Sequence, residues 1–80
     1  MKKQRVINFD GGKMREIRKG KNLEIKDLYD KCCIKFYRFH YFESGKGYPT
    51  HDEVCMIAKV LDVHPEALIC NVEKEGWVIR

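Results

Sequence analysis

The sequence predicts an all-α domain of five helices, with room for a short strand at each end. Three observations carry this. In residues 23–45, LEIKDLYDKCCIKFYRFHYFESG, the side chains of Leu23, Leu28, Cys32, Ile34, Phe39 and Phe42 fall on one buried side. The steps from Leu28 to Cys32 and from Phe39 to Phe42 are four and three residues, which align side chains on one helix face. Further on, a T-x-x-E pair, Thr50 and Glu53, precedes Val54, Ile57, Ala58 and Leu61 at i, i+3, i+4 and i+7. Finally, eighty residues suffice for one core and not for two domains.

Taken in order, residues 1–9 are basic and then β-like, with Lys2, Lys3 and Arg5 ahead of Val6, Ile7 and Phe9. They read as an arm that touches phosphate or as a short strand. Asp10 is an N-cap for helix one over about 11–19, with Met14 and Ile17 inward, although Gly11 and Gly12 blur its start. Gly20 and Asn22 close it. Helix two covers about 24–31, where Glu24 and Asp27 place negative charge at the positive end of the helix dipole. Ile34 plugs the corner before helix three, about 35–44. Two short helices with an apolar inner angle and a tight turn make a helix-turn-helix. Thr50 and Glu53 start helix four, and Asp62 and Val63 end it. Helix five begins near Pro65, a residue suited to a first helical turn, with Ala67, Leu68 and Val72 packing back. Residues 10–71 form the helix-turn-helix domain. The tail, 72–80, ends in Trp77, Val78 and Ile79, an apolar run that needs cover, as a strand against Val6 to Phe9 or as a dimer contact.

From about Met14 to Leu68 the chain resembles the lambda repressor/Cro-type (XRE family) helix-turn-helix. Arg18, Leu23, Leu28, Ile34, Phe39 and Phe42 match family positions, Glu43 and Gly45 match its Glu-x-Gly ending, and Pro49, Ile57, Ala58, Leu61 and Val63 match its downstream helix. The resemblance implies a structural ion pair between Arg18 and Glu43, and makes helix three the recognition helix of a homodimer on double-stranded DNA. Two such helices about 34 Å apart read a palindromic site from one face. There are departures. Glu24 stands for the usual Ser or Thr cap, Ile25 for a glutamine that bonds the DNA backbone, Tyr29 for a small residue at the helix contact, and Cys33 for the turn glycine, where positive φ would strain it.

On helix three, Phe36, Tyr37, His40 and Tyr41 fall opposite the inward Phe39 and Phe42. Lys35, at the helix start, opposes the dipole and makes sense beside a phosphate. Arg38 and Lys46 flank the same surface as phosphate contacts. Phe36, Tyr37, His40 and Tyr41 would face base edges, rings against thymine methyls with the hydroxyls and His40 making polar contacts. Gln, Ser, Thr and Asn readers are missing from that face, and exposed Phe and Tyr equally suit a protein interface. Two functions follow. The first is a DNA-binding transcriptional regulator, a repressor, reading an operator through the major groove. The alternative is a protein-interaction module on the same fold, of antitoxin or anti-repressor type.

Charge favours the first. Residues 1–46 hold thirteen Lys or Arg against six Asp or Glu, a net +7, whereas 47–80 hold three against six, a net −3. A basic half beside an acidic half suits a polyanion facing one side. Cys32, Cys33, Cys55 and Cys70 have no metal-ligand spacing and no C-x-x-C, so reduced thiols and no metal or cofactor are expected. No nucleophile–base pair or carboxylate pair stands out, and Gly45-Lys46-Gly47 is not a P-loop, so no catalysis is expected. No apolar run is long enough to suggest a membrane span, and the basic N-terminus lacks the apolar region of a signal peptide, so a cytoplasmic location is expected.

Overall fold

Five α-helices and one 3₁₀ turn make up the computed structural model, which describes residues 4–80. Lys2 and Lys3 of the expected basic arm lie outside the described residues. The helices are α1 (Gly11–Gly20), α2 (Ile25–Lys31), α3 (Phe36–Ser44), α4 (His51–Leu61) and α5 (Val72–Glu75), with the 3₁₀ turn Pro65–Leu68 between the last two.

Local chemistry fixes the ends. The Asp10 carboxylate accepts from the Lys13 N–H at 3.0 Å, satisfying a donor that the first turn of α1 cannot. The chain leaves α1 through Asn22 at φ +57°, a left-handed position that asparagine tolerates. At α2, the Asp27 carboxylate accepts from the Glu24 N–H at 2.8 Å, so the acidic pair closes the helix start without Ser or Thr. The α4 start is a reciprocal box: Thr50 Oγ1 accepts from the Glu53 N–H at 3.3 Å, and Glu53 Oε1 accepts from the Thr50 N–H at 2.9 Å.

The α2–α3 turn differs from the glycine-type corner that a residue like Cys33 would strain. Cys32 is extended (φ −114°, ψ 148°), and among the described residues only Asn22, Asp62 and Asn71 are non-glycine with positive φ. Residues 32–35 therefore turn without a left-handed residue, Ile34 is buried in the corner, and Cys33 stays exposed.

Met14, Leu28, Phe39, Phe42, Val54, Ile57, Leu61 and Leu68 meet in one core. Each buried aliphatic side chain of this size contributes roughly 1.5–3 kcal/mol. Val6 and Phe9 join it from the N-terminal segment. Val6 bridges Ile79 in antiparallel sense, and the Arg5 and Arg80 backbones exchange N–H···O bonds of 2.7 and 2.9 Å. Ile7 N–H donates to Val78 O at 2.9 Å, so the two ends pair within one chain, as isolated bridges with no continuous sheet among the described residues. Trp77 is half-buried, its ring 4.6 Å from that of His51.

The expected fifth helix is broken in two. Pro65 opens a 3₁₀ turn, and Ile69 is then extended (φ −110°, ψ 131°), because it bridges Phe9 while Cys70 N–H donates to Asn8 O at 2.7 Å. Backbone groups spent on the N-terminal segment are lost to a helix, and helical structure resumes at Val72.

Candidate nucleic-acid interface

Three fixtures set the pose of α3. Phe39 and Phe42 are buried, and Phe42 meets Phe9 and Phe39 edge-on at 5.9 and 6.1 Å. Arg18 on α1 grips Glu43 near the end of α3 in a two-point pair, Nε to Oε2 at 2.8 Å and Nη2 to Oε1 at 3.1 Å, each side chain about 10% exposed. Arg18 Nη1 also donates to Leu23 O at 2.8 Å, which ties the start of α2 to the same guanidinium. The third fixture is Gly11, whose Cα lies against the Phe42 carbonyl with no room for a side chain.

With its inner face so held, α3 turns Phe36, Tyr37, His40 and Tyr41 outward. Phe36, Tyr37 and Tyr41 are 47, 54 and 47% exposed, and His40 is exposed beside them. These rings brace one another. Phe36 and His40 lie 4.9 Å apart and Tyr37 and Tyr41 5.7 Å apart, both edge to face. Tyr29 extends the row from α2, its ring 6.0 Å from Phe36. Sequence reasoning placed Tyr29 at the helix–helix contact but did not single out Phe36 as its neighbour, since the two residues meet only across the turn. Lys35, the cap residue of α3, and Lys46, just past its end, are exposed and make no ion pair among the described residues. Gly45, at φ +77°, ends α3, and the Lys46 and Gly47 N–H groups fold back onto Tyr41 O at 3.0 and 3.3 Å.

Arg38 stands apart from the other expected phosphate contacts. Its Nη1 and Nη2 both pair with the Glu53 carboxylate, the second at 2.9 Å, and its guanidinium lies 5.1 Å from the Phe42 ring centre. Only 23% of the side chain is exposed. Glu53 also takes Arg5 at 3.5 Å and caps α4, so one carboxylate links α3, α4 and the N-terminal segment. No local spacing signals this, because the partners lie 15 and 48 residues apart.

Among the described residues, no cluster of three or more His, Cys, Asp or Glu could hold a metal, and no helix is long and apolar enough to cross a membrane. The four cysteines are unpaired. Burial, with Cys33 next to it, pushes the Cys32 thiol above its ordinary pKa. Thiol alkylation of the native protein near neutral pH is therefore expected to label exposed Cys33 and Cys70 and to reach Cys32 only after unfolding, a pattern that mass spectrometry of the digested protein checks. Labelling of Cys32 as fast as Cys33 would mean that the α2–α3 corner opens.

No protein-family model and no curated protein matches this chain. Among solved structures, the chain is similar to the restriction-modification controller protein C.AhdI from Aeromonas hydrophila, with a TM-score of 0.70 and 23% sequence identity, over 80% of this chain and 94% of that one. With α2 and α3 at a tight corner, α3 outward and α1 locked to it through Arg18 and Glu43, the chain has a helical helix-turn-helix fold, and it shares that fold with this controller protein.

Proposed function

We propose that this chain is a DNA-binding transcriptional regulator, acting as a cytoplasmic homodimer that represses by occluding an operator, with α3 in the major groove and no catalytic step. One observation carries the reading: α3 is pinned on its inner side, while its outer side is a continuous exposed face bounded at both ends by lysines, Lys35 and Lys46, that make no ion pair among the described residues. Lys35 and Lys46 would hold phosphates, and Phe36, Tyr37, His40 and Tyr41 would face the base edges. Arg38 supports the face from beneath through Glu53. The regulatory sense accords with C.AhdI being a restriction-modification controller protein.

The braced aromatic row favours a second reading, a protein partner seated on the same face. Salt separates the two. Four phosphates, held by Lys35 and Lys46 of two subunits, predict a slope of about −3.6 in log affinity against log salt. That is a loss of roughly 150-fold between about 50 and 200 mM salt. The test is a random-library DNA selection, followed by titration of the enriched duplex at both concentrations. An enriched inverted repeat with this salt dependence, lost in a Tyr37→Ala/Tyr41→Ala variant, supports operator reading. Weak binding to every duplex, or none, overturns it in favour of a protein partner.

A further inference from the structure

We propose that α3 selects its sites chiefly through C5-methyl groups in the major groove, so that the contacted positions of its operator carry thymine. This rests on the DNA reading above and names the chemistry by which that face would discriminate. The major groove is read by two-point donors on guanine, by amides on adenine, by carboxylates on cytosine and by apolar contact on the thymine methyl. On α3 the first three are absent or occupied. Its guanidinium, Arg38, has both terminal nitrogens on Glu53. Its carboxylate, Glu43, is closed on Arg18. The helix has no Asn or Gln, and Ser44 Oγ donates to Tyr41 O at 3.3 Å. What remains outward is the Phe36 ring, the rings and hydroxyls of Tyr37 and Tyr41, and the His40 imidazole. None of these polar groups forms a two-point pair with a base edge.

The apolar surface is, by contrast, extensive and already ordered. Edge contacts of 4.9–6.0 Å link Tyr29 to Phe36, Phe36 to His40 and Tyr37 to Tyr41. Rings braced in the free protein lose little freedom on binding. The occupant that suits such a face must be anionic enough for the flanking lysines and the +7 half of the chain, and must present apolar groups at fixed spacing. Duplex DNA with thymine methyls meets both conditions. Lys35 and Lys46, at the two ends of the helix, serve the phosphates and add affinity without sequence information.

The test uses the full chain and one short duplex of mixed sequence, or the enriched operator where selection yields it, made in matched forms at low salt. Thymine is replaced throughout by uracil, cytosine by 5-methylcytosine, or guanine by 7-deazaguanine. Loss of each contacted methyl is expected to weaken binding about fourfold. Methylated cytosine should strengthen binding to the mixed-sequence duplex, where cytosines occupy contacted positions, and deazaguanine, which lacks the N7 acceptor, should leave binding unchanged. The Phe36→Ala variant, altered only at an exposed ring, should still bind but with a smaller uracil penalty. Equal affinity for the thymine and uracil duplexes overturns the inference, as does a deazaguanine penalty exceeding that of uracil or an undiminished uracil penalty in Phe36→Ala; in each of these cases the DNA reading survives. Absence of binding to any duplex overturns the DNA reading itself, and this inference with it.

Discussion

Gly11→Ala is expected to destabilise the protein by about 3 kcal/mol, lowering its melting temperature by roughly 12–24 °C. Helix propensity alone argues the reverse, since alanine in a helix is favoured over glycine by about 1 kcal/mol. The geometry outweighs it. A Cβ on Gly11 would overlap the Phe42 carbonyl oxygen and lie 2.8 Å from its carbon and 3.1 Å from the Glu43 Cα. These are backbone atoms of α3, so no side-chain rotation relieves the clash. α1 would have to lift away, loosening Met14 and the Arg18–Glu43 pair together. Two neighbours serve as controls. A Cβ on Gly12 meets Asp10 Oδ1 at an ordinary 3.4 Å, and one on Gly20 meets nothing within 4 Å, so alanine there should be neutral or stabilising. Thermal unfolding followed by circular dichroism decides it. A Gly11→Ala protein that melts at or above the parent temperature would mean that α1 and α3 do not approach this closely.

The second large effect is expected from Glu43→Gln, again about 3 kcal/mol. Both partners of the Arg18–Glu43 pair are about 10% exposed, so the charge left on Arg18 could not recover its hydration. The neutral amide keeps an acceptor for one guanidinium N–H and turns a donor towards another. Removing both charges, in an Arg18→Met/Glu43→Leu variant, should cost less than Glu43→Gln alone, because no uncompensated charge remains in the protein. Urea unfolding of the two variants and the parent measures this. An unchanged midpoint for Glu43→Gln would show that solvent screens the pair far more than its burial implies.

What the sequence made legible follows the range of the interaction. Phe39 and Phe42 are three residues apart, Thr50 and Glu53 likewise, and both relations are readable because a helix brings such neighbours onto one face or one turn. Arg18 and Glu43 lie 25 residues apart, and only the resemblance to a known fold paired them. Arg38 carried no such precedent. As an isolated cation on a recognition helix it read as a phosphate contact, and nothing local revealed that Glu53 would take its guanidinium. The partner of Tyr29 was not legible for a related reason, as its contact with Phe36 depends on the path of the turn and not on helical spacing. Asn8 went unnoticed altogether. Its side chain donates to Cys70 O at 3.1 Å and to Gly76 O at 2.7 Å and accepts from the Val78 N–H at 3.1 Å, contacts that no periodicity encodes. The break in the fifth helix shares that origin, since it arises where Phe9 bridges Ile69.

That seam between the two ends has a kinetic consequence. Asn8 and Val78 are 70 residues apart, so their contact closes nearly the whole described chain into a loop, whereas α1 to α4 meet through far shorter separations. Loop-closure entropy grows with length, so a contact of this span is the least favourable to form from an open chain. Assembly is therefore expected to begin among the helices and to finish at the seam. In the folded protein the seam is expected to open before α3 leaves α1, uncovering Phe42 where Phe9 packs against it, and hydrogen exchange that is faster at the Ile7 and Cys70 amides than within α1 and α3 checks this order.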